Sequence, residues 1–480
     1  VMGVFAVRAG LAKAAFDLAT SAFRRLPGGP ALASLAGSGM FAAVTGSSVA
    51  TVATMARVST DAIVRAGYTI RLAAGVVCAG GTLGVLIPPS IVLVLYGVVT
   101  EESIGQLLIA GIGPGPLCSS LLADLGADIV RIDRKAPTGL GFEYAGPKAD
   151  IRRRGRPSVA VDLKHPQGVE TVLRMIESAD ALIDPMRPGV MERLGLGPDV
   201  CMVRNPRLIY GRMTGWGQSG PLAEVAGHDI NYISLSGVLH AIGTKERPVP
   251  PLNVIGDMGG GAMFLALGLL AGILEAKNSG KGQVVDIAMT EGSAYLAMAC
   301  FGLASSGHWK DERESNPLDG GAPFWRCYET KDGKHISLGC VEEKFYNLLM
   351  ETLDIDPASL PPQLEPESWP EIIALLDGKF KEKTRDEWCE IMEGTDICFA
   401  PVLSFSEAPH HPHNKARGSF VEVDGIMQPG PAPRFSRTPG SVKFGPPDFG
   451  AQTEEVLSSW GFSDAEISDL KDAKAVGRDE

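Results

Sequence analysis

The sequence is short of positive charge and of paired cysteines, and each shortage removes a class of function. Lysine and arginine total 44 against 56 acidic residues, for a net charge of −12. A nucleic-acid coat needs a basic face for its phosphate contacts, so the expected partners are small molecules and not nucleic acid. Eight cysteines stand at 78, 118, 201, 300, 327, 340, 389 and 398. None forms the C-x-x-C pairs of zinc or redox sites, so they read as reduced thiols of a cytoplasmic protein. The start also lacks the ordered charged, apolar and small residues of a cleavable secretory signal.

Charge is scarcest at the beginning. Residues 1–112 hold seven basic and four acidic side chains, a balance of +3 that leaves −15 for the remainder of the −12 total. Two uncharged runs, between Arg25 and Arg57 and between Arg71 and Glu101, each exceed the roughly 20 residues that span hydrocarbon. The second, LAAGVVCAGGTLGVLIPPSIVLVLYGVVT, is broken by Gly80, Gly81, Gly84, Pro88 and Pro89. Interrupted apolar helices of this kind line transporter cavities at the membrane midplane. A Gly/Ala-rich buried segment of a soluble protein is the other reading. Together with AGSGMFAAVTGSSVATVATMARVS, the run GGTLGVLIPPS resembles one repeat of the large permease subunit of TRAP transporters. Such permeases have many more spans, so this piece is not expected to form a transport path alone. Val1 is not an initiator Met, and the expectation is a truncated or spliced frame joined near AGIGPG, Ala110–Gly115.

With 480 residues the chain has room for two to four domains of roughly 100 to 200 residues. From Ile104 strand and helix patterns alternate. IGQLLIA reads as a strand, LCSSLLADLGA as a helix and DIVRIDR as a buried parallel strand. SVAVDLK, the helix GVETVLRMIESA, then DALID and PRLIYGRMTGWG continue the series. Successive βα units predict an α/β, doubly wound, Rossmann-like sheet. The glycines of GIGPG do not match G-x-G-x-x-G, and Pro114 and Pro116 lack the backbone donors a pyrophosphate needs, so no dinucleotide is expected. After the loop NPLDGGAP, FWRCYETKDGKHISLGC reads as a hairpin about Lys331–Lys334. Helices at EKFYNLLMETL, PEIIALLDGKF and RDEWCEIME complete a smaller α+β unit. The predicted division is an apolar helical segment 1–110, a large domain 111–315, a small domain 316–405, and a strap 406–480 that returns to the large domain.

The motifs GIGPGP, GADIVRIDR, VDLKHPQG, MRPGVMERLGLGP, MTGWGQSGP, GHDINY, RPVPPLNVIGDMGGG, SGKGQVVDIAM, DGGAPFW, EEKFY and PAPRFSRT occur in order over about 113–465. They resemble the α-methylacyl-CoA racemase branch of the family III CoA-transferases. The resemblance implies a ring-like, interlocked homodimer whose sites form between one chain's large domain and the other's small domain. It implies an acyl-CoA substrate, no cofactor beyond the CoA of that substrate, and no metal. His228 in GHDINY and Asp257 in NVIGD fall where the racemases carry their proton-transfer pair. Glu342 in VEEKFY falls at a Glu supporting the His, and Asn253 at an Asn that hydrogen-bonds the acid. Asp229 stands where the related transferases carry an Asp nucleophile that forms an acyl anhydride. Ile112, Arg134, Asp162, Leu163, Lys164, Arg187, Arg193 and Tyr232 are carried over as the CoA-binding set.

The chemistry needs these residue types. A thioester α-proton is weakly acidic, so its removal at neutral pH requires a positioned base and a stabilised enolate. Inverting the carbon requires a second, protonated group on the opposite face, and therefore an Asp whose pKa is raised toward that of His by a desolvated pocket. Outside the motif His228 would read as a packed core histidine, and Asp257 as an N-cap of the helix MGGGAMFLALGLLAGIL. The run EAPHHPH, Glu407–His413, holds three His and a Glu, but Pro409 and Pro412 predict an extended surface turn rather than a metal site. Met258, Met263, Met289 and Met298 read as an adaptable apolar surface or as ordinary core. A membrane-tethered enzyme, a cytoplasmic enzyme bearing a hydrophobic segment, a defective fusion and a bare transport fragment are all open at this level.

Overall fold

The structure, a computed structural model, describes residues 114–135 and 149–478, with shorter stretches between 18 and 77. Two compact units divide the chain, Val1–Ile109 and Ala110–Glu480. In the first, the described stretches 18–21, 31–36 and 70–77 are helical. Ala19, Ala33 and Val77 are buried there, and the Ser34 and Ser59 hydroxyls hydrogen-bond at 2.8 Å. The strand expected at 104–110 and the joint at 110–113 lie outside the described residues.

The second unit opens with helix α1 (Pro114–Asp124) and strand β1 (Arg131–Asp133), which pairs in parallel with β2 (Ser158–Ala160). Helix α2 (Pro166–Ile176) follows; its N-cap His165 accepts the Gln167 N–H on its ring, and Pro166 takes the first turn, where no N–H is needed. Next come β3 (Ala181–Asp184), α3 (Val190–Arg193), α4 (Pro198–Arg204) and β4 (Ile209–Thr214). Strand β4 is central, parallel to β3 and to β5 (Gln283–Ala288). Along β4 the side chains alternate with the pleat. Ile209 and Met213 meet the core beneath helix α6 (Phe264–Ser279), whereas Tyr210 joins the core with α2, α4 and the C-terminal helices. Among the described residues the parallel strands therefore form two sheets, β2-β1 and β3-β4-β5, rather than the one continuous sheet expected.

Between β4 and α6 lie α5 (Asp229–Leu235) and a π-helical segment, Val254–Met263. Helices α7 (Met289–Leu296) and α8 (Met298–Ser305) follow β5. The run Val254–Ser279 contains an 18-residue window of mean hydropathy 1.7, long and apolar enough to cross a membrane, yet 44% of that window is buried. Leu265, Ala266 and Leu269 pack on the sheet, while Leu267, Leu270 and Leu274 are exposed. Of the four methionines singled out, Met289 is core and Met263 and Met298 are exposed.

The small domain is an antiparallel sheet of β6 (Trp325–Glu329), β7 (His335–Gly339) and β8 (Phe399–Pro401), packed with α9 (Glu343–Thr352), α10 (Trp369–Phe380) and α11 (Arg385–Met392). The β6–β7 turn falls where Lys331–Lys334 predicts it. The strap differs from expectation in two places. Ala408–His410 and α12 (Pro412–Arg417) are helical rather than extended, because Pro409 and Pro412 sit in first turns that tolerate proline. His411 pairs with Glu393 at 2.7 Å, and no metal-binding group of side chains occurs among the described residues. β9 (Phe420–Val423) and β10 (Ile426–Pro429) form a hairpin whose Asp424-Gly425 turn has positive φ at both residues, an Asp-Gly signal that the proline-rich surroundings obscure. Helices α13 (Thr453–Ser459) and α14 (Asp464–Asp472) return to the large domain: Thr453 Oγ1 accepts the Ala160 N–H at 3.0 Å, and Val476 bridges to Val161.

Phe380 is fully buried in the small-domain core, 5.1 Å from the ring of Tyr328 and 5.3 Å from that of Trp388. Phe380→Ala is expected to cost about 3 to 5 kcal/mol in urea unfolding, through lost transfer energy and a cavity. A cost under about 1 kcal/mol would contradict this packing.

Candidate active site

His228 occupies the N-cap position of α5 in an extended conformation, and its backbone N–H donates to Asn231 Oδ1 at 3.0 Å. Asn231 thus closes the first turn as an N3 residue does in a capping box. The preceding Gly227 is held as well, since Tyr232 donates its hydroxyl to the Gly227 carbonyl and stacks edge-on to Trp216 at 4.9 Å. Both contacts fix the backbone beneath His228, whose side chain is exposed.

Asp229, the next residue, is buried at 4% exposure. Its Oδ2 accepts the Asp257 N–H at 2.7 Å, beside the Gly256 amide. A Cβ on Gly256 would stand 2.7 Å from Asp229 Oδ2, so only glycine admits the close approach of the two segments. His228 and Asp257 are therefore joined through one intervening residue and one hydrogen bond. Asn253 Nδ2 donates to Asp257 Oδ2 at 3.1 Å. Here the N-cap expectation is corrected: Asn253 holds the N-cap position and Asp257 lies one turn inside, because the segment winds with π spacing. π-helical turns concentrate at functional sites.

The electrostatics move the two groups toward each other. Burial pushes the Asp257 carboxyl up to about 6, with the Asp229 charge adding to it, against the Asn253 hydrogen bond and the Arg152 charge. Partial burial lowers the His228 imidazole, and Arg187 lowers it further. Asp229 is also raised, by burial, against its two backbone donors. A carboxyl raised and an imidazole lowered both shift in the direction that an exchange between them in both directions requires. Arg152, bonded to Asp150 at 2.7 Å, is a participant that the motif matches do not point to.

The remaining candidates separate. Arg134 follows β1, Asp162, Leu163 and Lys164 follow β2, and Arg187 and Arg193 follow β3, so all adjoin the C-terminal ends of parallel strands. Leu163 packs into the core, and Asp162 Oδ1 accepts the Lys164 N–H at 2.9 Å. Arg187 is half-buried; Arg134, Lys164 and Arg193 are exposed. Tyr232, carried over with the CoA set, commits its hydroxyl to Gly227. Ile112 lies outside the described residues. Glu342 is not brought to His228 within the chain; it is exposed at the start of α9, close enough for its charge to raise the Cys398 thiol.

His228 and Asp257 thus lie on two segments joined by a backbone-to-carboxylate hydrogen bond. Residues 107–453 match the model of CoA-transferase family III, and the chain belongs to that family. It is 45% identical to the α-methylacyl-CoA racemase of Mus musculus over 81% of this chain and 98% of that protein. It is 42% identical to the Homo sapiens racemase, over 78% and 97%. A succinyl-CoA–D-citramalate CoA-transferase of Chloroflexus aurantiacus is 29% identical over 75% of this chain and 94% of that protein. A CaiB/BaiF family protein from Brucella suis shares the fold at a TM-score of 0.63 and 22% identity, over 73% of this chain and 96% of that one. Residues 1–133 match the DctM component of the tripartite ATP-independent periplasmic transporters.

Raising Asp257 to about 6 means that folding favours its protonated form, and that this contribution is lost as pH rises from the unfolded value near 4 through 6. Asp257→Asn removes the charged form. It is expected to stabilise the protein on the order of 2 kcal/mol at pH 8 and to leave it unchanged at pH 3.5, measured by urea unfolding at both values. Equal effects at the two pH values would contradict the raised carboxyl.

Proposed function

We propose that the chain inverts the α-carbon of 2-methylacyl-CoA thioesters by proton transfer between His228 and Asp257. The raised Asp257 carboxyl, tied through Asp229 to the segment that carries His228, is the observation that carries this reading. In one direction neutral His228 takes the α-proton to give an enolate, and protonated Asp257 returns a proton to the opposite face. In the other, carboxylate and imidazolium exchange roles. Asn253 orients the Asp257 carboxyl, and no cofactor enters the balance. The identity to two racemases over nearly their whole length supports the same reading.

Asp229 bears on the choice between this and CoA transfer. An anhydride-forming nucleophile needs an oxygen open to the thioester, whereas Asp229 is buried and its Oδ2 holds the Asp257 amide. Its fit is that of a positioning residue. A homodimer is part of the proposal: exposed Leu267, Leu270 and Leu274 on α6, with Tyr295, Leu296 and Phe301 beyond it, suit burial against a second copy. The same arrangement supplies Glu342 to His228 from the partner's small domain. The acyl-CoA chemistry belongs to a cytoplasmic enzyme, with membrane contact assigned to residues 1–110.

The test is a single epimer of a 2-methylacyl-CoA in deuterated water, with the α-proton and optical purity followed together. Deuterium uptake with loss of purity is expected. His228→Ala is expected to slow it at least about 100-fold while CoA affinity stays near normal. Transfer of CoA between acids through a hydroxylamine-sensitive Asp229 adduct would replace this reading with the transferase. Co-expressed His228→Ala and Glu342→Ala chains are expected to regain activity, because a mixed dimer retains one intact site. Silence of the mixture would count against a shared site.

A further inference from the structure

The segment that carries Arg187 and Arg193 is held by a side chain outside every motif used so far. Pro185–Gly189 contains two prolines and makes few backbone hydrogen bonds; the Met186 N–H goes to Asp184 Oδ1 at 2.8 Å, and the Val190 N–H to the Arg187 carbonyl at 3.1 Å. Its two ends are joined through β4. Arg212 lies opposite Asp184 in the β3–β4 register, with Nε 3.3 Å from Asp184 Oδ2. Its Nη1 and Nη2 reach Glu192 Oε1 and Oε2 at 2.8 and 3.3 Å. Two residues earlier on the same face of β4, Tyr210 donates to the Leu196 carbonyl at 2.8 Å.

Burial makes this more than a surface ion pair. The Asp184 side chain is 0% exposed and that of Arg212 9%, while Glu192 is 43% exposed. The Glu192 end is directional, since the planar guanidinium meets both carboxylate oxygens as an ammonium cannot, whereas the Asp184 end is a buried charge contact without a hydrogen bond. The segment between those carboxylates holds Arg187, whose charge acts on both His228 and Tyr232.

We propose that Arg212 is a positioning residue that clasps the 185–193 segment at both ends, placing Arg187 and Arg193 to receive the anionic handle of the CoA thioester. The clasp rests on the reading above that these arginines meet CoA. It touches no reacting atom, so it acts on affinity rather than on the proton-transfer step.

Free CoA and acyl-CoA are titrated calorimetrically into the full-length protein and into Arg212→Lys, Glu192→Gln and Leu376→Ala, with KM, kcat and Tm measured in parallel. In the first two variants Kd for CoA and KM are expected to rise about tenfold while kcat changes less than about threefold, as for lost orientation of a binding group. Leu376→Ala, in the small-domain core, is expected to lower Tm without weakening CoA. If Arg212→Lys lowers Tm but leaves Kd within about twofold, the clasp is merely structural and the proposal is overturned. Should Arg212→Lys fail to fold, Glu192→Gln decides on the same two numbers. An unmodified protein that binds CoA but exchanges no α-proton refutes the racemase reading and leaves the clasp to the Kd values; one that binds no CoA overturns the clasp.

Discussion

The hydrogen bond from the Asp257 amide to the Asp229 carboxylate is the constraint on which the site rests. It joins the first turn of α5 to a π-helical turn 28 residues away in sequence, and it does so inside the protein, where an unpaired backbone donor is costly. Everything near it is shaped to admit it. Gly256 removes the atom that would collide with the carboxylate, and Asn231 and Tyr232 hold the backbone before Asp229. The clamp thus rests on Asp229, Gly256 and the backbone rather than on the side chains of His228 and Asp257.

The same burial that secures the clamp tunes the chemistry. Removing Asp257 from water raises its carboxyl, and the neighbouring Asp229 charge pushes in the same direction. Arg152 and Arg187 oppose one another in effect: the first lowers Asp257, the second lowers His228. A difference of one pKa unit corresponds to about 1.4 kcal/mol between protonation states.

Much of this was legible in the residues. Strands β1 to β4 and the small-domain hairpin follow from apolar runs and turn chemistry, and His228, Asp257 and Asn253 from ordered motifs. The parts that were not legible have physical causes. β5, QVVDIA, carries an Asp and a Gln in a short run, so its pattern is weak although it borders the central strand. Asp257 reads as an N-cap because π spacing leaves no mark in a glycine-rich stretch. Arg212 reads as a charge interrupting a buried strand; its two carboxylate partners come from residues 20 and 28 positions earlier, Glu192 and Asp184. Asn231 did carry a signal, an amide at the third helical position of α5, which the histidine beside it overshadows.

The large domain is also completed late. β2 receives its neighbours from Gln452, Thr453 and Val476, nearly 300 positions downstream, with the Ala160 amide bonded to Thr453 across 293 residues. On a ribosome the early strands and α2 emerge with one flank of their core bare, and that flank stays bare until the last helices leave the exit tunnel. Until then the apolar side of α2 waits for its cover, and a chain lacking α13 and α14 would present that side to chaperones and proteases.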